Sequence, residues 1–338
     1  MTQLFNADRY AEQTFKAANA LFDYPNAGLV QTVDTVTEIV AGVVEAKYYE
    51  LAGQSLTDFV NIDASGRGAY AGEIFQFTAA YVGAPFKQCI INPASTGVHN
   101  DATADIAVDG ISQRNNFYRQ KYSISQEGLK MAAVNRVSFD LIEQKEKARK
   151  KTWDLGLQET LFNGLGDGRT YGLLNQTGLT VDTSLLPVAP QNMTVAQIKT
   201  FAATALAAAF ANSNQTIMPN RWCMPTSTYM ALGVPYGDTF GMPTLKEVLE
   251  RAFKEAGAPA DFKIVHSIYN ETAGANGKGR HVFYNTDADN IIMHTPKVYT
   301  PHPLYASGSL DMISDAEGQF TGVWVKRPGS VLYADVQA

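Results

Sequence analysis

Cysteine and histidine are scarce here: two Cys and five His are spread over 338 residues. Cys89 and Cys223 cannot build a disulfide framework or a cysteine zinc site, and two lone thiols fit a reducing compartment. No run approaches the ~20 consecutive apolar residues that cross a bilayer, and residues 1–6 do not begin a cationic-then-apolar export signal. Export, membrane insertion and membrane partners are therefore not expected. Positive charge is also in short supply, with 27 Lys and Arg against 33 Asp and Glu and a net charge of -6. Tight nucleic-acid binding needs many Lys and Arg contacts to phosphate, and only residues 145–151 gather them.

A catalytic constellation is missing as well. No nucleophile stands beside a base, and no carboxylate pair or metal-ligand spacing emerges. His294 and His302 lie near prolines with no Cys or third His close in sequence, so they read as ordinary loop histidines. Gly164, Gly166 and Gly168 superficially resemble a phosphate cradle. They follow a helical pattern, whereas a dinucleotide fingerprint follows a strand and opens a helix, so they read as a hinge with positive φ angles. Residues 274–280 lack the ending of a P-loop and read as a loop tip. No catalytic residue, cofactor or metal is expected, and the chain is not expected to be an enzyme.

What is present is 45% hydrophobic content, enough for a sizeable core and for two domains, one of them discontinuous in sequence. The most informative element is a helix over residues 139–163. Ser138 is its candidate cap, Asp140 lies in its first turn, and Asn163 with Gly164 forms a left-handed stop. The rod would be about 36 Å long. Glu143 with Lys147, and Glu146 with Lys150, stand at i,i+4 in the favourable order. Residues 143–151 present no apolar stripe, which predicts a solvated middle that lies across something with little tertiary packing. An ordinary surface helix is the plainer alternative.

Residues 1–27 form a polar arm, and Val33, Val36, Ile39, Val40 and Val43 then fit a helix or a strand. Residues 73–82 alternate as a strand, with Phe75, Phe77, Ala79 and Tyr81 on one face and Gln76 and Thr78 on the other. The loose passages 65–68 and 92–105 flank it, which describes a protruding flap. An isolated hairpin is marginal in water, so its aromatic face must enter this chain's own core or be covered by another chain. Residues 111–125 read as one polar strand and 126–134 as a short helix. Residues 193–290 read as an inserted α/β lobe, with a Thr194-capped helix over 194–211, an amphipathic helix over 244–256, and strands at 221–224, 262–265, 281–284 and 290–293. The tail offers strands at 299–305, 309–313, 320–326 and 330–333, punctuated by Gly308, Gly318 and Gly329.

The order of these parts carries a resemblance: arm, flap, long polar helix, Gly172-Leu173-Leu174-Asn175, inserted lobe, then Gly322-Val323-Trp324-Val325-Lys326-Arg327-Pro328. It resembles the tailed-bacteriophage major capsid proteins of the Hong Kong 97 type. The resemblance implies an α+β fold with an N-terminal arm (1–54), an extended loop (55–108), a peripheral domain (109–192 and 291–338) with a spine helix (139–163), and an axial domain (193–290). It assigns Arg67, Phe75, Phe77, Tyr81 and Lys87 to an inter-subunit loop, Glu143, Glu146, Lys147 and Lys150 to the spine helix, and Gly172, Leu173, Leu174 and Asn175 to a segment whose leucines tuck beneath that helix.

The same resemblance implies pentamers and hexamers, a shell around double-stranded DNA held without sequence-specific contacts, a portal, a separate scaffolding protein or none, and a possible decoration protein. Its location would be the virion capsid, assembled in the host cytoplasm. Some relatives crosslink a loop lysine to an asparagine beside a glutamate; Lys87, Asn290 and Glu317 are the available trio, with no motif to fix them. An encapsulin-like cargo shell is the nearest alternative, and a two-domain α/β enzyme with a cleft of ionisable groups is a more distant one.

Overall fold

The computed structural model describes residues 49–83, 89, 103–127, 130, 141–235, 243–308 and 310–336. In chain order the elements are α1 (Leu56–Phe59), β1 (Asn61–Asp63), β2 (Glu73–Gly83), β3 (Ala104–Arg114), β4 (Asn116–Ser125), α2 (Leu141–Asn163), β5 (Thr180–Asp182), α3 (Val195–Asn212), β6 (Arg221–Pro225), α4 (Thr226–Ala231), α5 (Leu245–Glu255), β7 (Lys263–Ser267) and β8 (Arg280–Tyr284). Six strands complete it: β9 (Ile291–His294), β10 (Lys297–Pro301), β11 (Tyr305–Ala306), β12 (Asp311–Phe320), β13 (Val323–Val325) and β14 (Val331–Asp335). The readings at residues 1–43, the Ser138 cap and Lys87 fall outside the described residues.

The centre of the fold is a five-stranded sheet in the order β5-β14-β8-β6-β7. Outside the exposed edge strand β5 its strands are short and largely buried, with apolar residues at their centres, as sheets covered on both faces require. Trp222, Met224, Ile264, Phe283, Leu332 and Ala334 share one buried cluster with Ile198, Phe201, Leu249 and Phe253 of α3 and α5. The alternate residues Cys223, Val265, Val282, Tyr284, Val331 and Tyr333 share a second cluster with Leu161 and Phe162 of α2, Leu173 and Leu174. One sheet thus joins a helical layer to the end of the long helix. It reaches beyond residues 193–290, drawing β5 from before that span and β14 from after it. Helices α3 and α5 start where the sequence places them, because Thr194 with Gln197, and Thr244 with Glu247, form reciprocal capping boxes.

Inside the central sheet, His281 is fully buried and its Nδ1 accepts a hydrogen bond from Trp222 Nε1 at 3.2 Å. Burial depresses its pKa to about 3, only partly opposed by Asp335. Protonation would oppose the Trp222 donor and bury a cation. The unfolded chain takes up this proton near pH 6.5 and the folded chain does not, so stability must fall as pH drops from about 6.5 toward 3. His281 alone is expected to contribute about 1.4 kcal/mol per pH unit within that window. Urea midpoints measured across it should therefore vary less in His281→Gln, whose carbonyl can still accept from Trp222.

A second sheet pairs β12 with β4 along their whole lengths, from Asp311↔Ser125 to Phe320↔Asn116, and its other edge takes β10 and β11. The sequence pattern predicts a break in this strand at Gly318. The structure runs straight through, because the glycine there is a seat and not a turn: a Cβ on Gly318 would lie 2.5 Å from the Trp153 indole. The reading of residues 111–125 as one strand is also corrected. Residues up to Arg114 belong to β3, which pairs with β2 as a separate two-stranded ribbon, and β4 starts at Asn116.

Asn115 makes that break. Its amide Nδ2 donates to Ala71 O at 2.9 Å and to Gln319 Oε1 at 3.2 Å, its backbone N donates to Gly72 O at 3.0 Å, and the residue is buried. Gln319 Oε1 also accepts from the backbone N of Tyr70, which holds a left-handed φ of 64°. A buried amide network therefore fixes the base of the ribbon to the body.

Candidate assembly site

In the ribbon, Phe75 lies opposite Ser112, Phe77 opposite Gly110, Ala79 opposite Val108 and Tyr81 opposite Ile106. Directly opposite residues share a face, so these strands present one apolar side. The Phe75 and Phe77 rings meet edge to face at 4.9 Å, and the Phe75 ring lies over Gly110, where a Cβ would sit 1.9 Å from it. Glycine at 110 is thus what lets the aromatic lie flat on its partner strand. The face is nevertheless uncovered: Phe75 is 55% exposed, Phe77 72%, Ile106 53% and Val108 61%. Of the two ways to cover these aromatics, burial in the chain's own core is ruled out for Phe75 and Phe77. A contiguous apolar face of this kind marks an interaction surface. Arg67 is exposed in the turn at the ribbon's base. The Tyr81 side chain lies outside the description.

Helix α2 departs from its expected solvated middle. Arg149 is 2% exposed, and its guanidinium donates to Ser314 O at 2.8 Å, Ser314 Oγ at 3.1 Å and Tyr299 Oη at 2.9 Å. It also pairs with Glu146, and its Cζ stands 4.6 Å from the centre of the Tyr122 ring. Four residues on, Trp153 packs on Tyr118 at 4.9 Å and Phe320 at 5.7 Å. The helix is therefore seated on the β4-β12-β10 sheet through a buried cation. Glu143 and Lys147 pair as expected, at 2.8 Å. The expected Glu146–Lys150 pair is replaced, since Glu146 turns to Arg149 and accepts from Tyr299 Oη at 2.6 Å. Lys150 is exposed. Burial raises the Asp154 pKa, and Lys150 and Lys151 offset part of that rise.

The segment Gly172-Leu173-Leu174-Asn175 closes the far end of the helix. A helix leaves its last carbonyls without partners. Here Leu173 N donates to Leu161 O at 2.7 Å, Leu174 N to Phe162 O at 2.9 Å, and Asn175 Nδ2 to Asn163 O at 2.6 Å. The segment's own carbonyls are also satisfied, Gly172 O by Gln176 Nε2, Leu173 O by Tyr333 Oη and Leu174 O by Arg280 Nη1. Both leucines are buried beside Leu161 and Phe162. The chain returns sharply enough to do this because Gly164, Gly166 and Gly168 all take positive φ, and Asp167 Oδ1 accepts from the backbone N of Arg169 and Thr170. A Cβ at Gly172 would stand 2.3 Å from Phe162 O. Gly172→Ala is expected to cost about 2 kcal/mol or more of protomer stability, read as a lower urea midpoint at unchanged m-value.

Of the crosslinking trio, Asn290 and Glu317 each have partners of their own within the chain, and Lys87 lies outside the described residues. Asn290 is buried, with Nδ2 donating to Asn285 Oδ1 at 3.0 Å and Oδ1 accepting from Arg327 Nη1 at 3.2 Å. Glu317 is engaged by Lys297 and, at 3.2 Å, by His302 Nε2. His294 is no loop histidine; it ends β9, with Nδ1 3.2 Å from Asp63 Oδ2.

A ribbon with a bare apolar face, a helix seated on a sheet and a clamped return loop are features of a subunit, and the family comparison decides which kind. The family described as Major capsid protein matches residues 95–336. The chain belongs to that family. The capsid of Myoviridae phage XM1 shares its fold at TM-score 0.72 and 13% identity, over 90% of this chain and 98% of that one. The capsid of the native GTA particle follows at 0.58 and 11% identity, over 93% and 100%, and Mycobacterium phage Che8 at 0.54 and 13%, over 92% and 98%. No curated protein matches. This capsid protein is thus a structural shell subunit with the mixed α+β fold of Hong Kong 97-type capsids, and a self-assembling one.

Proposed function

We propose that this capsid protein assembles through pentamers and hexamers into an icosahedral shell enclosing double-stranded DNA, as the coat of a virion put together in the host cytoplasm. The observation that carries this reading is the ribbon's apolar face, exposed in the protomer; in the proposed shell a neighbouring copy covers it. Residues 1–54 serve as the arm, 55–108 as the extended loop, 109–192 and 291–338 as the peripheral domain with its spine helix (139–163), and 193–290 as the axial domain, whose sheet borrows β5 and β14 from the flanking segments. Contacts repeated head to tail among identical copies close rings, and rings tile the wall. A net charge of -6 suits a wall that surrounds DNA without gripping it. A portal and a separate scaffolding protein are its partners, with a decoration protein optional. No feature of the fold favours the cargo-compartment alternative over this one.

Sedimentation and electron microscopy of the purified chain test the proposal. Shells, rings or sheets support it. A discrete small oligomer that turns over a metabolite would overturn it.

A further inference from the structure

We propose that the outer edge of β2 is a strand-accepting site, to which a strand from a second copy of this chain adds, making the two-stranded ribbon three-stranded. The proposal rests on the shell reading above and names the edge by which one copy holds the next.

The two edges of the ribbon are not alike. Asn115 N donates to Gly72 O, and this pair continues the register Glu73↔Arg114. Pairs of that parity are the hydrogen-bonded kind, so the intervening pairs, Phe75↔Ser112, Phe77↔Gly110, Ala79↔Val108 and Tyr81↔Ile106, direct their N–H and C=O groups outward. On the β3 side two of these outward amides are already taken. Asp105 Oδ1 accepts from Ile106 N at 2.8 Å, and Asp109 Oδ1 accepts from Gly110 N at 2.7 Å. The same carboxylates place negative charge along that edge. A strand could add there only by displacing both bonds.

Among the described residues the β2 edge has no such protection. From Ile74 to Gly83 it carries no charge and no proline, and among the described residues nothing accepts from the outward amides of Phe75 and Phe77. Sheet edges are ordinarily blunted by charge, bulge or proline, so a ribbon with one edge blunted and the other bare is polarised for addition on one side. A two-stranded ribbon is also marginal by itself, and a third strand removes that weakness. The strand comes from a second copy because the family builds its wall from copies of one chain. A strand laid here would lie beside Phe75 and Phe77, joining the edge contact to the covered face.

Paired proline variants test this, since proline removes an outward N–H without touching a ladder bond. Ala79→Pro is expected to lower shell yield by about tenfold or more, while Val108→Pro assembles as well as Val108→Ala. Phe77→Asp, measured alongside, tests the covered face separately. If Phe77→Asp blocks assembly and Ala79→Pro does not, strand addition is wrong and the shell reading stands; if neither blocks it, both fall. Residue-resolved amide exchange on the wild-type protein covers the case of a misfolded variant. Assembly should slow exchange at Phe75 and Phe77 and leave Ser112 fast, and equal protection of both edges would overturn the proposal. A reconstruction in which a scaffolding or decoration strand occupies the β2 edge would overturn the choice of partner.

Discussion

Replacing Arg149 by methionine should lower the stability of the unassembled protein by about 3 kcal/mol, among the largest losses available to a single helix position. The side chain is buried among Ser314, Tyr299 and Glu146, so its removal takes a donor from both oxygens of Ser314 and leaves the Glu146 carboxylate with the Tyr299 hydroxyl in place of its cation. Glu146 retains partial access to water, its side chain being 33% exposed, which places the loss at the lower end of the range for a broken buried pair. Arg149→Lys should recover little, because an ammonium cannot reproduce the planar fork that serves Ser314 and Tyr299 together. The double variant Arg149→Met, Glu146→Gln should be more stable than the sum of its single changes, because the uncompensated carboxylate is gone. Urea midpoints at constant m-value measure all three. A loss under about 0.5 kcal/mol for Arg149→Met would place the guanidinium among surface charges.

Phe77→Asp should have the opposite profile, with little change in the protomer and loss of the assembly. Phe77 is 72% exposed, so the protomer's midpoint should move by less than about 0.5 kcal/mol. In a shell the same carboxylate would be pressed against apolar surface at every copy, at a cost of several kcal/mol per contact. Sedimentation should therefore show wild-type protein in large particles and the variant as free subunits. Phe77→Leu should assemble, since it keeps an apolar side chain on that face. Phe75 is a less clean probe because its ring also lies over Gly110, and removing it disturbs the ribbon itself.

Much of this was legible in the residues. The alternation of Phe75 and Phe77, the cap at Thr194, the start of the amphipathic helix at Thr244, the left-handed stop at Gly164 and the Glu143–Lys147 pair are local features, set by neighbours within four residues, and the structure has them. Most of the misses depend on distant partners. Arg149 reads as a solvated cation because nothing nearby reveals that Ser314 and Tyr299 will meet it. A helical stripe through Glu146, Arg149, Trp153, Leu157 and Leu161 was the available signal, hidden because two of its members are charged. Gly318 reads as punctuation until Trp153 is laid on it, and the ribbon's second strand was missed because its alternating Ile106 and Val108 sit among Asp and Gly.

The central claim is that the bare side of the ribbon is covered by another copy of the same chain. A high-resolution electron cryomicroscopy reconstruction of particles assembled from the purified protein tests it most directly. Phe75, Phe77, Ile106 and Val108 should lie in van der Waals contact with a neighbouring subunit. A particle in which those four side chains face bulk water, or fold back on their own chain, would contradict it.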